Sequence, residues 1–100
     1  MTIKIKVHEA YRKIVSIADA DLIGKKFVEG KIQLDVKESF YNGEEMSENK
    51  AMEIIKSANA DDATFNIVGN ESIKLAIKAG IISKEGIIRV QGIPYALGLI

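Results

Sequence analysis

The chain has 100 residues, the size of one ordinary domain, and 47% of them are hydrophobic against 28% charged, the balance of a folded protein rather than a disordered one. Its 14 Lys and Arg residues equal its 14 Asp and Glu residues, so it lacks the basic excess typical of dedicated nucleic-acid binders. The absence of cysteine and the single histidine, His8, exclude disulfides, thiol catalysis, cysteine zinc sites and a multi-histidine metal site.

We expect a single domain from residue 1 to residue 100, because the chain has no repeat, no low-complexity tract and no linker. No apolar run approaches the length of a membrane span, and the N-terminal stretch does not have the pattern of a secretory signal. A cytoplasmic protein without a membrane partner is therefore expected. A formal net charge of zero gives little mutual repulsion and leaves self-association open.

The first third of the chain predicts strands. Residues 3–8 alternate apolar and polar side chains, with β-branched residues at 3, 5 and 7, which is typical of a half-buried strand. Residues 12–18 predict a second strand, joined to the first as a hairpin. Residues 19–30 predict a turn-rich connection, and residues 32–36 alternate again as a third strand.

The rest of the chain alternates helices and strands. Ser47 can cap a helix over residues 47–58, which has one apolar face formed by Ala51, Ile54, Ile55 and Ala58. After a strand over residues 65–68, Asn70 is expected to cap a well-buried second helix over residues 71–79, which Gly80 ends. Residues 87–90 predict a last strand. If it forms a βαβ unit with the preceding strand, the two should be parallel and their crossover right-handed.

These elements predict an α+β fold. The N-terminal antiparallel strands are followed by α-β-α-β, with two helices on one face of a single mixed sheet. The tail from residue 93 to residue 100 is apolar, and it must pack on the domain or on a partner, because an apolar segment left in water is sticky. The tail is therefore a candidate surface for a homo-oligomer.

Three dissimilar segments occur in order along the chain. They are Asp-Leu-Ile-Gly-Lys-Lys-Phe-Val-Glu-Gly at 21–30, Ser-Phe-Tyr-Asn-Gly-Glu at 39–44, and a stretch from Asn-Ile-Val-Gly at 66–69 through Leu-Ala-Ile-Lys-Ala-Gly at 75–80 to Gly-Ile-Pro at 92–94. Together they resemble the archaeal family known as "domain of unknown function 424" over nearly the whole chain. The resemblance implies a stand-alone archaeal protein with no assigned activity, whose genes often lie near translation genes. It also implies a His in the Gly-x-Pro tail segment where this chain has Tyr95, so a proton-transfer role is not expected there.

Basic residues form the first candidate binding site. Lys25 and Lys26, with Arg12 and Lys31 not far away in sequence, can form a patch that faces phosphate groups. The alternative is an ordinary solvated loop, in which neighbouring acidic residues dilute the positive field.

Aromatic residues beside a turn form the second candidate. Phe40 and Tyr41 precede the strong turn signal Asn42-Gly43, and exposed aromatic rings can stack on a base or anchor a partner. The alternative is that Phe40 enters the core while Tyr41 covers an edge.

The third candidate is the strand-to-helix connection at Gly69 and Asn70. Free backbone N–H groups at a helix start can hold an anion, although the Gly-Lys-Ser/Thr pattern of a phosphate-binding loop is absent. The alternative is a tight turn with an ordinary cap.

Metal and catalytic sites are not expected. Asp61 and Asp62, with Asp19 and Asp21, can in principle bind a hard cation, but nothing resembles a calcium loop. His8 lies on the polar side of the first strand, and no Ser-His-Asp arrangement is suggested. We expect no cofactor.

The leading hypothesis is a non-catalytic binding module that acts in translation or on RNA–protein assemblies. We expect a protein or ribonucleoprotein partner, with RNA as a further possibility and DNA excluded, because zero net charge favours protein over bare nucleic acid. Two alternatives stay open. One is a homodimeric interaction subunit that uses residues 93–100, and the other is a small phosphate-compound binder or enzyme at Gly69 and Asn70.

Overall fold

The computed structural model describes residues 2–98 and contains eight strands and three α-helices within them. In chain order these elements are β1 (Ile3–His8), β2 (Ile14–Asp19), β3 (Lys26–Glu29), β4 (Ile32–Asp35), α1 (Glu38–Tyr41), β5 (Glu44–Met46), α2 (Glu48–Ala60), β6 (Thr64–Val68), α3 (Asn70–Ala79), β7 (Ile88–Val90) and β8 (Ile93–Gly98). Two 3-10 turns, Ala20–Leu22 and Lys84–Gly86, connect some of them.

The main sheet contains six strands in the order β5-β1-β2-β6-β8-β7. Neighbouring strands are antiparallel except β2 and β6, which are parallel. The N-terminal hairpin is confirmed, with Ile5 of β1 opposite Ile17 of β2. The predicted α+β class, with antiparallel N-terminal strands and a mixed sheet, is therefore confirmed.

The two long helices cover one side of this sheet, which we call the inner face. Ala51, Ile55 and Ala58 of α2 are buried there at helical spacing, as the apolar periodicity predicts. The predicted cap of α2 is also confirmed, because Ser47 Oγ accepts a hydrogen bond of 3.2 Å from Lys50 N. α3 packs beside α2 over the same core.

The opposite side of the sheet, the outer face, is covered only in part. A separate two-stranded hairpin, β3 with β4, and the single turn α1 pack on it. Leu34, Val36 and Tyr41 are buried there against Ala18 and Val68 of the sheet. A second, smaller core results, and no other part of residues 2–98 forms a layer above the remainder of the outer face.

Three strands, β3, β5 and β8, are not predicted by sequence periodicity, and the hairpin shows the reason for β3. The β3 segment begins and ends on exposed charged residues and only Phe27 is partly buried, so it lacks the alternating pattern of a half-buried strand. Its position depends on distant contacts instead. Gln91 N donates to Glu29 Oε1 and Gln91 Nε2 donates to Val28 O, both at 2.6 Å.

The apolar tail packs on the domain itself. Residues Ile93–Gly98 form β8, which lies between β6 and β7 in the sheet; Leu99 and Ile100 lie outside the described residues. The connection from β7 turns through Gln91 and Gly92, whose φ angles are 51° and 78°, and two consecutive residues with positive φ favour a tight hairpin. β6 and β7 do run in the same direction, but they are not neighbours, so the hydrogen-bonded parallel pair is β2 with β6 instead.

None of the helices within residues 2–98 combines the length and the apolar character that a membrane crossing requires.

Candidate functional site

Strand register defines which side chains share the outer face. One row across the sheet contains Tyr95 beside Ile88 on β7, and the next contains Leu97 of β8 beside Asn66 of β6. Side chains opposite one another in register point to the same face, and diagonal neighbours lie within reach of one another. We call Asn66, Ile88, Tyr95 and Leu97 the outer patch. Ile88 is 48% exposed and Leu97 is 49% exposed, so no layer of the described protein covers them.

The single turn α1 borders the outer patch. The Phe40 carbonyl accepts hydrogen bonds from Ser16 Oγ at 2.7 Å and from His8 Nε2 at 2.9 Å; a carbonyl oxygen can only accept, so His8 Nε2 carries the proton. The His8 ring stacks on the Phe40 ring with centroids 4.5 Å apart. Lys6 Nζ donates to the Ser39 carbonyl at 2.8 Å. These bonds satisfy carbonyls that the end of a helix leaves free, and they fix α1 on β1 and β2.

The structure brings the three aromatic candidates together. Tyr41 is buried, and Phe40 lies edge-on to it with ring centroids 5.0 Å apart. Burial, with a smaller contribution from the nearby Tyr95, raises the pKa of Tyr41 to about 12. Burial also raises the pKa of the half-buried Tyr95. The sequence offers two possibilities, exposed aromatic rings or a buried Phe40 with Tyr41 at an edge, and the structure has neither arrangement. Tyr41 enters the core and Phe40 is half-buried against His8.

Sequence reasoning missed other members of this surface. Asn66 interrupts the apolar run of β6, and a polar residue between apolar ones is a signal that it faces away from the core. Ser16 carried a similar signal, as the polar residue in the middle of β2. Ile88 and Leu97 carried none, because apolar residues in a strand are normally assigned to a core.

The basic candidates do not form one patch. Lys25 precedes β3 and Lys26 begins it, whereas Lys31 lies in the turn at the tip of the same hairpin. Arg12 lies in the connection between β1 and β2, before the start of β2, whereas Lys25 and Lys26 follow the end of β2. A strand of this length spans about 20 Å, so Arg12 is far from the two lysines. All four side chains are exposed. The hypothesis of a single phosphate-facing patch from these residues therefore has only Lys25 and Lys26 side by side.

The helix start at Gly69 and Asn70 is occupied by a carboxylate of the chain. Asp19 is buried, and its Oδ1 accepts from Ser72 N at 2.8 Å and from Ser72 Oγ at 2.7 Å, while its Oδ2 accepts from Glu71 N at 3.2 Å. The cap of α3 is therefore Asp19 rather than Asn70. Gly69 has φ of +107°, and a Cβ there would overlap the Asp19 side chain. These N–H groups are consequently not free to hold a ligand.

The remaining acidic candidates lie apart. Asp61 forms an ion pair of 3.2 Å with Lys13, and Asp19 is held at the start of α3. Within the described part of the chain, no group of three His, Cys, Asp or Glu side chains is placed to hold a metal ion. Asp61, Asp62, Asp19 and Asp21 therefore do not converge on a cation site.

The fold and the outer patch define a class of small α+β proteins in which two helices cover one face of a mixed sheet and the other face is partly open. A family model described as "Protein of unknown function (DUF424)" matches residues 7–99, so the chain belongs to that family. The family that the sequence segments resemble is thereby confirmed.

One solved structure has the same fold. It is described as "Crystal structure of an uncharacterized conserved protein from Methanopyrus kandleri", and it is 19% identical to this chain, with a TM-score of 0.84 over 97% of this chain and 90% of that one. At this identity the likeness shows the fold alone. None of the curated proteins compared with the chain matches it.

Proposed function

We propose that the protein is a non-catalytic binding module of RNA–protein assemblies, such as those of translation, and that it docks a protein component on the outer patch. One observation carries the proposal: Tyr95 lies between Ile88 and Leu97, which are half-exposed although they belong to the main sheet. Apolar surface left in water costs free energy that a covering partner recovers. The proposal includes a cytoplasmic location, where such assemblies act.

Charge favours a protein partner over bare RNA. The outer patch and the adjacent Ile14 and Thr64 carry no charged side chain, whereas RNA binding depends on cations that contact phosphate groups. The nearest lysines on this face, Lys4 and Lys6, donate to Asn42 and Ser39 of the chain itself. A partner with apolar side chains, and a polar group for the Asn66 carboxamide, fits this surface.

The polar groups beside the patch support a non-catalytic role. A nucleophilic serine requires a base within hydrogen-bonding distance of its hydroxyl. Here Ser16 Oγ and His8 Nε2 both donate to the Phe40 carbonyl, so both are used to hold α1 in place.

Co-sedimentation with purified archaeal ribosomal subunits, and separately with protein-free total RNA, tests the proposal. We expect binding to the subunits that changes little between low salt and about 0.3 M salt, because apolar docking is screened far less than phosphate contacts. Ile88→Glu/Leu97→Glu should weaken it at least about tenfold, since charges at the centre of an interface must be desolvated. Val7→Glu/Val28→Glu is the matched control, because both residues are exposed apolar strand residues outside the outer patch and the charge change is the same.

Three outcomes would contradict the proposal. The first is the absence of co-sedimentation at low salt, and the second is equal loss of binding in both double variants. The third is binding to free RNA that is as tight as binding to the subunits and falls steeply with salt. Self-association that only Ile88→Glu/Leu97→Glu abolishes would assign the outer patch to a second copy of the chain, the alternative that the apolar tail suggested.

A further inference from the structure

A cleft on the inner side of the molecule has a different character from the outer patch. It lies between α3 and β7 and has a volume of about 490 Å³, which is within the range of pockets that hold small molecules. Its apolar lining comes from Ile73 and Ile77 of α3, Ile87 before β7, and Pro94 of β8. This lining offers a flat or apolar ligand body a surface to cover.

Three cations surround this apolar lining. They belong to three separate elements: Lys74 to α3, Lys84 to the turn Lys84–Gly86, and Arg89 to β7. No carboxylate is among the lining residues of the described chain. A chain with equal numbers of acidic and basic residues thus has a local excess of positive charge here, and low-dielectric walls focus such a field.

The cations of the cleft have little internal compensation. Lys74 lies 3.5 Å from Glu71, but its side chain is 76% exposed, and pairs of this kind contribute little. Within residues 2–98, the other ion pairs involve Lys13 and Lys78, so Lys84 and Arg89 form no ion pair. The exposed Glu85 carboxylate next to Lys84 offsets only part of its charge, because solvent screens exposed pairs. Arg89 can form two parallel hydrogen bonds with a phosphate, and Lys84 adds a compact charge.

The start of α3 does not supply the anion contacts. Asn70 lines the cleft, but the Glu71 and Ser72 N–H groups donate to Asp19. Side chains therefore supply most of the contacts to a bound anion.

We propose that this cleft binds an organophosphate with an apolar or aromatic body, such as a nucleoside phosphate. The phosphates contact Arg89 and Lys84, with Lys74 at the rim, and the body covers Ile73 and Ile77. The cleft lies on the side of the sheet opposite the outer patch, so this inference is independent of the proposed docking function.

Titration with ATP at low salt, followed by calorimetry and by the NMR methyl signals of the isoleucines, tests the inference. We expect saturable binding with shifts at Ile73, Ile77 and Ile87 and none at Ile88. Lys84→Gln/Arg89→Gln should weaken binding at least about tenfold, because charge-assisted hydrogen bonds are lost. Lys50→Gln/Lys56→Gln on the exposed side of α2 removes the same charge and should change affinity less than about twofold.

Two further probes separate the parts of the ligand. Adenosine, which lacks the phosphates, and tripolyphosphate, which lacks the body, should each bind at least about tenfold more weakly than ATP, because each uses only one part of the cleft. The inference is wrong if ATP shows no saturable binding at low salt, if Lys84→Gln/Arg89→Gln and the control Lys50→Gln/Lys56→Gln lose affinity equally, or if tripolyphosphate binds as tightly as ATP.

Discussion

At the scale of single residues, Tyr41 shows how one side chain joins two parts of the outer face. It is buried in the second core and contacts Phe40 edge-on. Burial raises its pKa, and the nearby Tyr95 of the last strand adds a smaller contribution. The hydroxyl of a buried tyrosine is costly to ionise, because the phenolate would lose its hydration. The stability of the folded chain therefore depends on Tyr41 staying protonated.

This dependence predicts a loss of stability at alkaline pH. The folded-state pKa of Tyr41 is raised from 10.0 to about 12, so its contribution is complete below pH 10 and is lost as the pH rises toward 12. Over that window the unfolded chain releases a proton that the folded chain keeps, and the free energy of unfolding should fall by about 2 kcal/mol from this residue. Urea unfolding of the wild type and Tyr41→Phe between pH 9 and pH 12 measures this fall in the free energy of unfolding.

The comparison has a built-in control. Tyr41→Phe should lack this part of the alkaline loss, whereas Tyr11→Phe, at a fully exposed position, should follow the wild-type curve. Parallel curves for wild type and Tyr41→Phe would show that Tyr41 ionises equally well in the folded and unfolded chains.

At the scale of secondary-structure elements, the parallel pairing of β2 with β6 determines how α3 begins. Ala18 is opposite Val68 in the register of this pair, so the next residue, Asp19, reaches the connection from β6 to α3. Its carboxylate bonds the first N–H groups of the helix, where negative charge also suits the helix dipole. One side chain thus joins β2 to the start of α3, and Gly69 provides the space it occupies.

We expect Asp19→Ala to destabilise the protein by about 2–4 kcal/mol. The substitution removes the cap and leaves the buried Ser72 N–H and hydroxyl without an acceptor. Asp19→Asn, which keeps one oxygen acceptor, should lose less. The free energy of unfolding from denaturant titration gives both values.

Asp21→Ala is the matched control for this position. Asp21 is exposed and lies two residues away in the first 3-10 turn, so its replacement should change stability by less than about 0.5 kcal/mol. A similar small effect for Asp19→Ala would mean that water replaces the carboxylate at the start of α3.

At the scale of the whole molecule, the last strand closes the fold. β8 is hydrogen-bonded to β6 on one side and to β7 on the other, and Ala96 contributes to the inner core while Tyr95 packs against the outer one. Both cores are therefore incomplete until the C-terminal residues are in place. If the tail that contains β8 has this structural role, its removal should unfold the protein. If it is only a dimerisation arm, its removal should leave a folded monomer.

A chain that ends at Gly92 should fail to fold cooperatively. Removal of β8 leaves β6 and β7 with unpaired edges and exposes both cores. The free-energy cost of this exposure should exceed the total stability of a typical domain, about 5–15 kcal/mol. Thermal unfolding followed by circular dichroism, together with sedimentation, measures the outcome. A folded monomer that has only lost the ability to self-associate would instead identify the tail as a dimerisation arm.

The sequence by itself determined the elements whose signals are local. The alternation in β1, the Ser47 cap of α2 and the Gly80 stop of α3, which has φ of +78°, were all predicted, because each depends on residues within one turn or one strand. The three family segments also identified the family. For the candidate site, the sequence identified Phe40, Tyr41 and Tyr95 as candidates. It could not predict that the three residues lie close together in the fold.

Only the tertiary structure decided the remaining features, because each depends on residues far apart in the chain. Asp19 caps a helix that begins 51 residues later at Asn70, the β8 strand enters between β6 and β7, and Ile88 and Leu97 stay half-exposed. Local periodicity reports how a segment alternates between two environments, but not which distant segment covers it. Strand order and the placement of the hairpin decide that, and with it which apolar side chains stay exposed.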